Sequence, residues 1–480
     1  MSRTKEFSAK ERFTFAAADL WGGGGQTVIS VLYLVYLTNV LGVHPGLAGT
    51  TLMFAKIWDA VIDPVLGVVG DNTRTRWGRR RPYLLFGAAI LLVAMALLWL
   101  PVRFDAPAAQ SLYILLTNIF YATIASALAI AYSAMSTEIS TDFDELNKVN
   151  VTRLIFSMLA TAVCTILPTI FFRQLQEGAI TVNRFYLIVV FGFGLVFTVP
   201  IFIAGLVCRE RASYADKKTH VTPGALLEPL KTKIFRQMVA LYLTQSVTLD
   251  TVSAIIIYYS LYVVKGLNTT IFLGLFLAIQ LVMLPIFYRL VRTISKTEIF
   301  RFGLPLAVLG AMGIGFYPAG GPVIGVYLLT AATAFGYAGA MTLSWIIFPD
   351  VVDIGELVEG KRSTGSYSAT MTFIRQISSA MTIFLIGNLL GITGFINPTE
   401  TVPAPAQPAG TVWAIRLILV FAFAIFGTIG WLVAKQMGLR PELSKRVKYF
   451  LGKRLEDGIT PEPLTAEEEL EVAALIEKYK

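Results

Sequence analysis

Apolar residues run along this chain in long unbroken blocks, not in the alternating or one-faced patterns of a soluble fold. Crossing a hydrocarbon core of about 30 Å takes about 20 helical residues. Blocks of that length fall roughly at 13–39, 46–71, 82–101, 110–134, 150–172 and 184–207. After a polar stretch, six more follow roughly at 233–264, 268–290, 300–317, 321–346, 365–393 and 411–436. The pattern predicts an all-α membrane protein with twelve transmembrane helices in two pseudo-symmetric six-helix halves. Residues 1–207 form the N-terminal half, 208–232 a cytoplasmic linker, 233–436 the C-terminal half and 437–480 a cytoplasmic tail.

Loop charge orients these spans. The loop after span 2 carries Arg74, Arg76, Arg79, Arg80 and Arg81, and the one after span 6 carries Arg209, Arg211, Lys217, Lys218, Lys231 and Lys233. Loops on the other side, such as TNVLGVHPG and INPTETVPAPAQPAG, have no Lys or Arg. Basic loops stay in the cytoplasm, so both termini are expected there. The halves also echo one another: TEISTDFDELNKVNVTR and FPDVVDIGELVEGKRS each follow the fourth span of their half, acidic residues before basic ones. Two six-span halves related by an axis along the membrane normal are the plan of major-facilitator transporters. Gly22 to Gly25 in span 1 permit either close helix approach or local unwinding. In the tail, Thr465 and Glu468 fit a capping box opening a short helix.

Composition agrees. The 480 residues are 55% hydrophobic and 15% charged, with a mean hydropathy of +0.66, outside the soluble range. The net charge of +9 sits in loops between apolar runs, where it sets orientation and does not point to nucleic acid. Two cysteines, Cys164 and Cys208, and two distant histidines, His44 and His220, give neither a disulfide framework nor a metal centre. MSRTKEFSAKERF does not read as a cleavable signal peptide. With no Walker loop, nucleophile elbow or HExxH, neither ATP drive nor enzyme chemistry is expected, and no cofactor beyond a coupling ion.

The costliest feature lies in span 2. Asp59 and Asp63 are four residues apart, on one helical face, and Lys56 joins the same stripe. Each ionisable residue at the bilayer centre costs about 2.5–3.5 kcal/mol on insertion scales and is kept mainly where it faces a cavity and a counter-charge. Two carboxylates this close resist joint ionisation and so can take up a proton; oxygen ligation of Na⁺ at Asp59 and Asp63 is the other option. A structural ion-pair network between the halves is the bland alternative.

Arg375, about ten residues into span 11, is the distant counter-charge. Arg153, near the start of span 5, is either a cavity residue or one that snorkels to the headgroups. Asp71 with Arg79, Arg80 and Arg81, then Glu138 and Asp142, then Asp350, Asp353 and Glu356 with Lys361 and Arg362, form a candidate network closing the cytoplasmic side. Single surface pairs are worth about 0–1 kcal/mol, so only a network would gate. Trp21, Tyr132, Tyr258, Tyr259 and Trp345 can stack on a sugar ring or simply pack.

Three blocks resemble the glycoside-pentoside-hexuronide:cation symporters of the major facilitator superfamily, the melibiose permease-like family. They are WDAVIDPVLGVVGDNTRTRWGRRRP, YSAMSTEISTDFDELNKVNVTRLIF and FPDVVDIGELVEGKRSTGSYSATMTFIRQ. The resemblance implies that Asp59 and Asp63 couple the cation, with Arg375 the basic span-11 residue near them. It implies a sugar-site arginine at Arg153 and a substrate-stacking aromatic at Tyr132. Asp19 fits an acidic position common in the family, and with Trp21, Tyr132, Arg153 and Trp345 it makes the expected substrate set. Three positions depart from melibiose permease: Leu128 replaces a sugar-binding aspartate, Ala125 a threonine near the cation, and Ile62 an asparagine between the aspartates. Fewer polar cation ligands favour H⁺ over Na⁺, and GRRRP is similar to a run in proton-coupled sucrose transporters.

The expectation is a symporter that imports a sugar or glycoside with a cation by alternating access, as a monomer in a bacterial inner membrane. Two rivals stay open. One is a carrier of lysolipid or another amphipathic solute, suggested by the apolar Leu128 and Ala125. The other is a non-transporting sensor or scaffold whose charges are structural.

Overall fold

The computed structural model describes residues 8–140, 142–211, 228–290, 293–360, 364–399, 402, 404–439, 441–455 and 464–479. A chain in hydrocarbon must satisfy its own backbone polar groups, and the long apolar runs do so as helices. The first half comprises α1 (Ala9–Ala17), α2 (Asp19–Asn39), α3 (Pro45–Asn72), α4 (Arg81–Trp99), α5 (Pro107–Glu138), α6 (Phe143–Gln176), α7 (Val182–Leu187) and α8 (Gly194–Val207). The second comprises α9 (Lys233–Tyr262), α10 (Thr269–Leu290), α11 (Lys296–Gly315), α12 (Val323–Glu359), α13 (Thr364–Ile392) and α14 (Ala409–Met437). Two tail helices follow, α15 (Pro441–Leu455) and α16 (Ala466–Tyr479).

Eleven helices among the described residues are long and apolar enough to cross a membrane. The chain is thus a multi-pass integral membrane protein. α3 has 28 residues, about 42 Å at about 1.5 Å per residue, but Lys56, Asp59 and Asp63 interrupt its apolar surface. Pro45 and Pro107 open their helices, where a missing N–H costs nothing. Gly360 and Gly438 close α12 and α14 in the left-handed region, at φ 71° and 60°.

Several boundaries differ from the sequence reading. Span 1 is two helices that break at Ala18. There the carbonyl of Phe15 accepts from the Tyr132 hydroxyl at 2.8 Å and from the Ala18 N–H at 3.2 Å. Span 6 is α7 and α8 joined by a π-helical turn at Ile188–Phe193. Most of the acidic stretch FPDVVDIGELVEG, expected as a loop, continues α12. Its Val351, Val352, Ile354 and Leu357 are buried, and α15 and α16 pack against the helix.

The tail is a docked hairpin. Thr465 and Glu468 make the expected capping box: the Glu468 N–H donates to Thr465 Oγ1 at 3.3 Å, and the Thr465 N–H to Glu468 Oε2 at 2.9 Å. Arg446–Glu471 at 2.8 Å and Lys453–Glu468 at 3.1 Å tie α15 to α16, and the buried Tyr479 donates to the Met437 carbonyl at 3.2 Å.

Within the first half α2 packs on α6, and α5 on α3 and α4; within the second, α11 packs on α12 and α14, and α9 on α14. The halves meet through α3–α13, α2–α9 and α6–α10. The glycines of span 1 serve packing, because α2 runs through them unbroken. A Cβ on Gly24 would lie 2.7 Å from the Phe197 ring and 2.8 Å from Cys164 Sγ.

Candidate functional site

A cleft lies between the halves. Gln26, Lys56, Asp59 and Tyr121 line it from the first half, and Asp250 and Ser379 from the second. Asp59 and Lys56 share one wall because three residues nearly complete a helical turn. Ser126 of α5 donates to Asp59 Oδ1 at 2.9 Å, and Asp59 is buried. Asp63, one turn on, is turned to α13: its Oδ2 accepts from Gln376 Nε2 at 2.6 Å, and its Oδ1 is buried without a hydrogen-bond partner.

Arg375 is not the direct counter-ion of either carboxylate. It reaches Asp250 of α9, Nη2 to Oδ1 at 3.8 Å, within its own half.

The expected substrate set is brought together only in part. Asp19 Oδ2 accepts from Arg153 Nε at 3.2 Å, and the Arg153 guanidinium lies 4.4 Å from the Tyr132 ring centroid. Tyr132 in turn packs on Phe15 in a tilted ring pair, with centroids 4.6 Å apart. Asp19, Trp21 and Tyr132 are buried at the α1–α2 break and do not line the cleft. The side chain of Trp345 lies outside the described residues.

At the end away from the arginine-rich loops the halves are clasped. The Thr38 and Tyr258 hydroxyls lie 2.6 Å apart, Asn39 Nδ2 donates to Tyr262 Oη at 2.9 Å, and Asn388 Nδ2 to Thr50 Oγ1 at 3.2 Å. Gly49 and Gly387 let α3 and α13 touch: a Cβ on Gly387 would lie 2.7 Å from the Gly49 Cα. Tyr258 therefore fastens the halves, and Tyr259 donates to the Ile314 carbonyl inside its own half.

A family model described as "MFS/sugar transport protein" matches residues 14–434. The chain belongs to this family of sugar transporters. It is a melibiose permease-like member of the major facilitator superfamily, and a transporter, not an enzyme. An uncharacterized symporter of Synechocystis sp. is 26% identical over 88% of this chain and 93% of its own length. A glucuronide carrier protein homologue of Escherichia coli is 27% identical over 82% and 87%, and an isoprimeverose transporter of Lactiplantibacillus pentosus 24% over 80% and 81%. Among solved structures, a bacterial homologue of the human lysosomal transporter Spinster, in an inward-facing conformation, aligns with a TM-score of 0.66 over 90% of this chain and 98% of that one. At 11% identity that likeness is one of fold.

In this transporter several charges at the arginine-rich end pair inside their own half. Arg80 bridges Asp71 at 2.5 Å and Glu138 at 3.3 Å, and Arg79 lies 3.6 Å from Asp71. Glu210 accepts from the backbone N–H groups of Arg79, Arg80 and Arg81 at 2.8, 2.7 and 3.2 Å, while the Arg81 side chain donates to the Gly205 and Leu206 carbonyls. Asp142 caps α6 through the Glu145 N–H. Asp350 pairs with Lys296 at 2.5 Å in the second half, where Asp353 and Glu356 are also buried. Lys361 and Arg362 lie outside the described residues. Asp71 thus pairs with Arg79 and Arg80 of its own loop, as the sequence led one to expect.

Sequence reasoning passed over Asp250, Gln376, Ser126 and Glu210. Asp250 had a signal: it is an acidic residue inside the apolar run TQSVTLDTVSAI, as costly as Asp59. Gln376 and Ser126 had none, since a neutral polar residue in a span is common.

Proposed function

We propose that this chain is a symporter that imports a sugar or glycoside with a cation by alternating access. The observation that carries the reading is Asp59, a buried carboxylate in the wall of a cleft between two halves that are clasped at the end away from the arginine-rich loops. Reading the arginine-rich end as cytoplasmic makes this the inward-open state, with both termini on the cytoplasmic side of a bacterial inner membrane. Cation binding neutralises Asp59, substrate occupies the cleft, and the halves rock until the Thr38–Tyr258 clasp parts.

Two relatives named for a glucuronide and for isoprimeverose support a sugar-type cargo. A proton is favoured over Na⁺. Ser126 offers Asp59 one oxygen, while Ala125 and Ile62 offer no side-chain oxygen at all. Leu128, one of the two residues that suggested a lysolipid cargo, packs over Gly87 of α4 and does not line the cleft.

The test is uptake into proteoliposomes of radiolabelled neutral and acidic sugars and a lysolipid, with H⁺ and Na⁺ gradients imposed separately. Sugar accumulation driven by H⁺ is expected. Sugar flux under neither gradient would refute the symporter reading.

A further inference from the structure

The outer end of the molecule carries a piece that the clasp of helix side chains does not include. α13 ends at Ile392, and Gly394 just beyond it takes φ 81°. The Phe395 N–H donates to the Leu390 carbonyl and the Gly394 N–H to that of Gly391, both at 3.1 Å. A left-handed glycine closed in this way turns the next apolar residue back onto its own helix. Phe395 is therefore buried, edge-on to Tyr258 and Tyr262, with ring centroids 5.6 and 5.4 Å away. Those are the two tyrosines whose hydroxyls meet Thr38 and Asn39 of the first half.

Beyond Phe395 the loop to α14 is built into the second half. Gln407 grips both backbone groups of Ile396: its Oε1 accepts from the Ile396 N–H at 2.9 Å, and its Nε2 donates to the Ile396 carbonyl at 2.8 Å. Thr399 and Val402 exchange backbone hydrogen bonds at 3.1 and 3.2 Å, and Thr411 Oγ1 of α14 donates to the Thr393 carbonyl at 2.8 Å. Pro398, Pro405 and Pro408 fix φ between these contacts.

Yet the loop lies on the other half. Asn397 Nδ2 donates at 2.6 Å to the carbonyl of Gly42, in the turn between α2 and α3. Pro398 and Thr399 share a pocket with Leu175 and Val182 of the first half, and Ala404 shares another with Arg173 and Gln176. A piece anchored in one half and seated on the other must leave its seat when the halves part at that end.

We infer that the loop after α13 is a strap across the outer mouth, in which Phe395 positions the Tyr258 and Tyr262 hydroxyls and Asn397 seats the loop on the first half. This rests on the alternating-access reading.

The test ties the strap to its seat. Thr399→Cys and Val182→Cys, two positions lining one pocket, are linked by a short bismaleimide in the full-length protein. Uptake into proteoliposomes of the radiolabelled sugar that the panel above identifies is compared with that of each single variant treated alike. The linked protein should bind that sugar at equilibrium as the unlinked double variant does, yet take it up at least about tenfold more slowly, because a conformation that cannot be left cannot cycle.

Labelling of a Thr50→Cys probe by a membrane-impermeant thiol reagent tests the contacts without any sugar. Phe395→Ala loses two ring pairs and should speed labelling about tenfold. Asn397→Leu should speed it about fivefold. Asn397→Gln keeps an amide donor and should stay near the unaltered rate, a rescue that general loosening would not show.

Uptake by the linked protein at the rate of the single variants, or unchanged labelling in both Phe395→Ala and Asn397→Leu, would overturn the inference and leave the symporter reading standing. If Phe395→Ala does not fold, the Asn397 pair and the linked protein decide. Faster labelling in these variants, with no gradient-driven uptake by the unaltered protein, would refute the symporter reading and leave the strap in place.

Discussion

Gln376 Nε2 donates to Asp63 Oδ2 at 2.6 Å, joining α13 of the second half to α3 of the first. The preceding residue, Arg375, holds Asp250 of its own half. Adjacent positions of one helix therefore grip a carboxylate from each half, and α13 feels the charge state of both.

Replacing Gln376 by Leu would leave Asp63 with neither oxygen partnered, since Oδ1 already lacks a donor. A hydrogen bond to a charged group contributes about 1.5–3 kcal/mol. Cation-driven uptake should fall at least about tenfold in Gln376→Leu. Gln376→Asn, which keeps a shorter donor, should retain more. Initial rates in proteoliposomes check this, and equal rates in both variants would count against the contact.

The clasp depends on two glycines. A Cβ on Gly387 would meet the Pro45 carbonyl oxygen at 2.6 Å and the Gly49 Cα at 2.7 Å. Overpacking of this kind costs about 1–3 kcal/mol, which is about 5–150-fold in a conformational equilibrium. Gly387→Val should therefore hold this end apart and speed labelling of a Thr50→Cys probe by a membrane-impermeant thiol reagent. Unchanged labelling would mean that the clasp is elsewhere. Native Cys164 and Cys208 are buried and should add little background.

The tail hairpin carries a pH dependence. The Thr465 backbone N–H, then Lys453, hold the Glu468 carboxyl down at about 2, against an ordinary 4.5. A carboxylate depressed in the folded state stabilises above its unfolded value and loses that contribution as pH falls through the folded one. α16 should therefore stay docked at neutral pH and loosen as pH drops from about 4.5 to about 2. A spin label at exposed Ala474 should become more mobile over that window. In Glu468→Gln it should be more mobile throughout, without that transition; identical profiles would remove Glu468 from the docking.

Much of the bundle was legible because crossing a bilayer demands long apolar helices, and the apolar runs mark them directly. What escaped was set by tertiary contact. The break at Ala18 follows a hydroxyl from Tyr132, more than a hundred residues away. The continuation of α12 through FPDVVDIGELVEG buries Val351, Val352, Ile354 and Leu357 in a segment whose charges read as a loop.

The site divides in the same way. Asp59 and Asp63 showed themselves by the cost of charge in a span, and Asp250 carried the same mark. Which carboxylate Arg375 takes, and that Gln376 takes Asp63, depend on how two halves distant in sequence are juxtaposed. The arginines after span 2 read as a cytoplasmic loop by their charge, but did not reveal that Glu210 and Glu138 bind them into their own half.

The central claim is that the Asp59/Asp63 pair links cargo to a cation gradient. It is tested most directly by combining Asp59→Asn with Asp63→Asn in proteoliposomes and measuring both accumulation and equilibrium exchange of the transported sugar. The expected result is loss of uphill accumulation under an imposed H⁺ gradient while sugar exchange across the membrane persists. Uphill accumulation that survives the double substitution would contradict it.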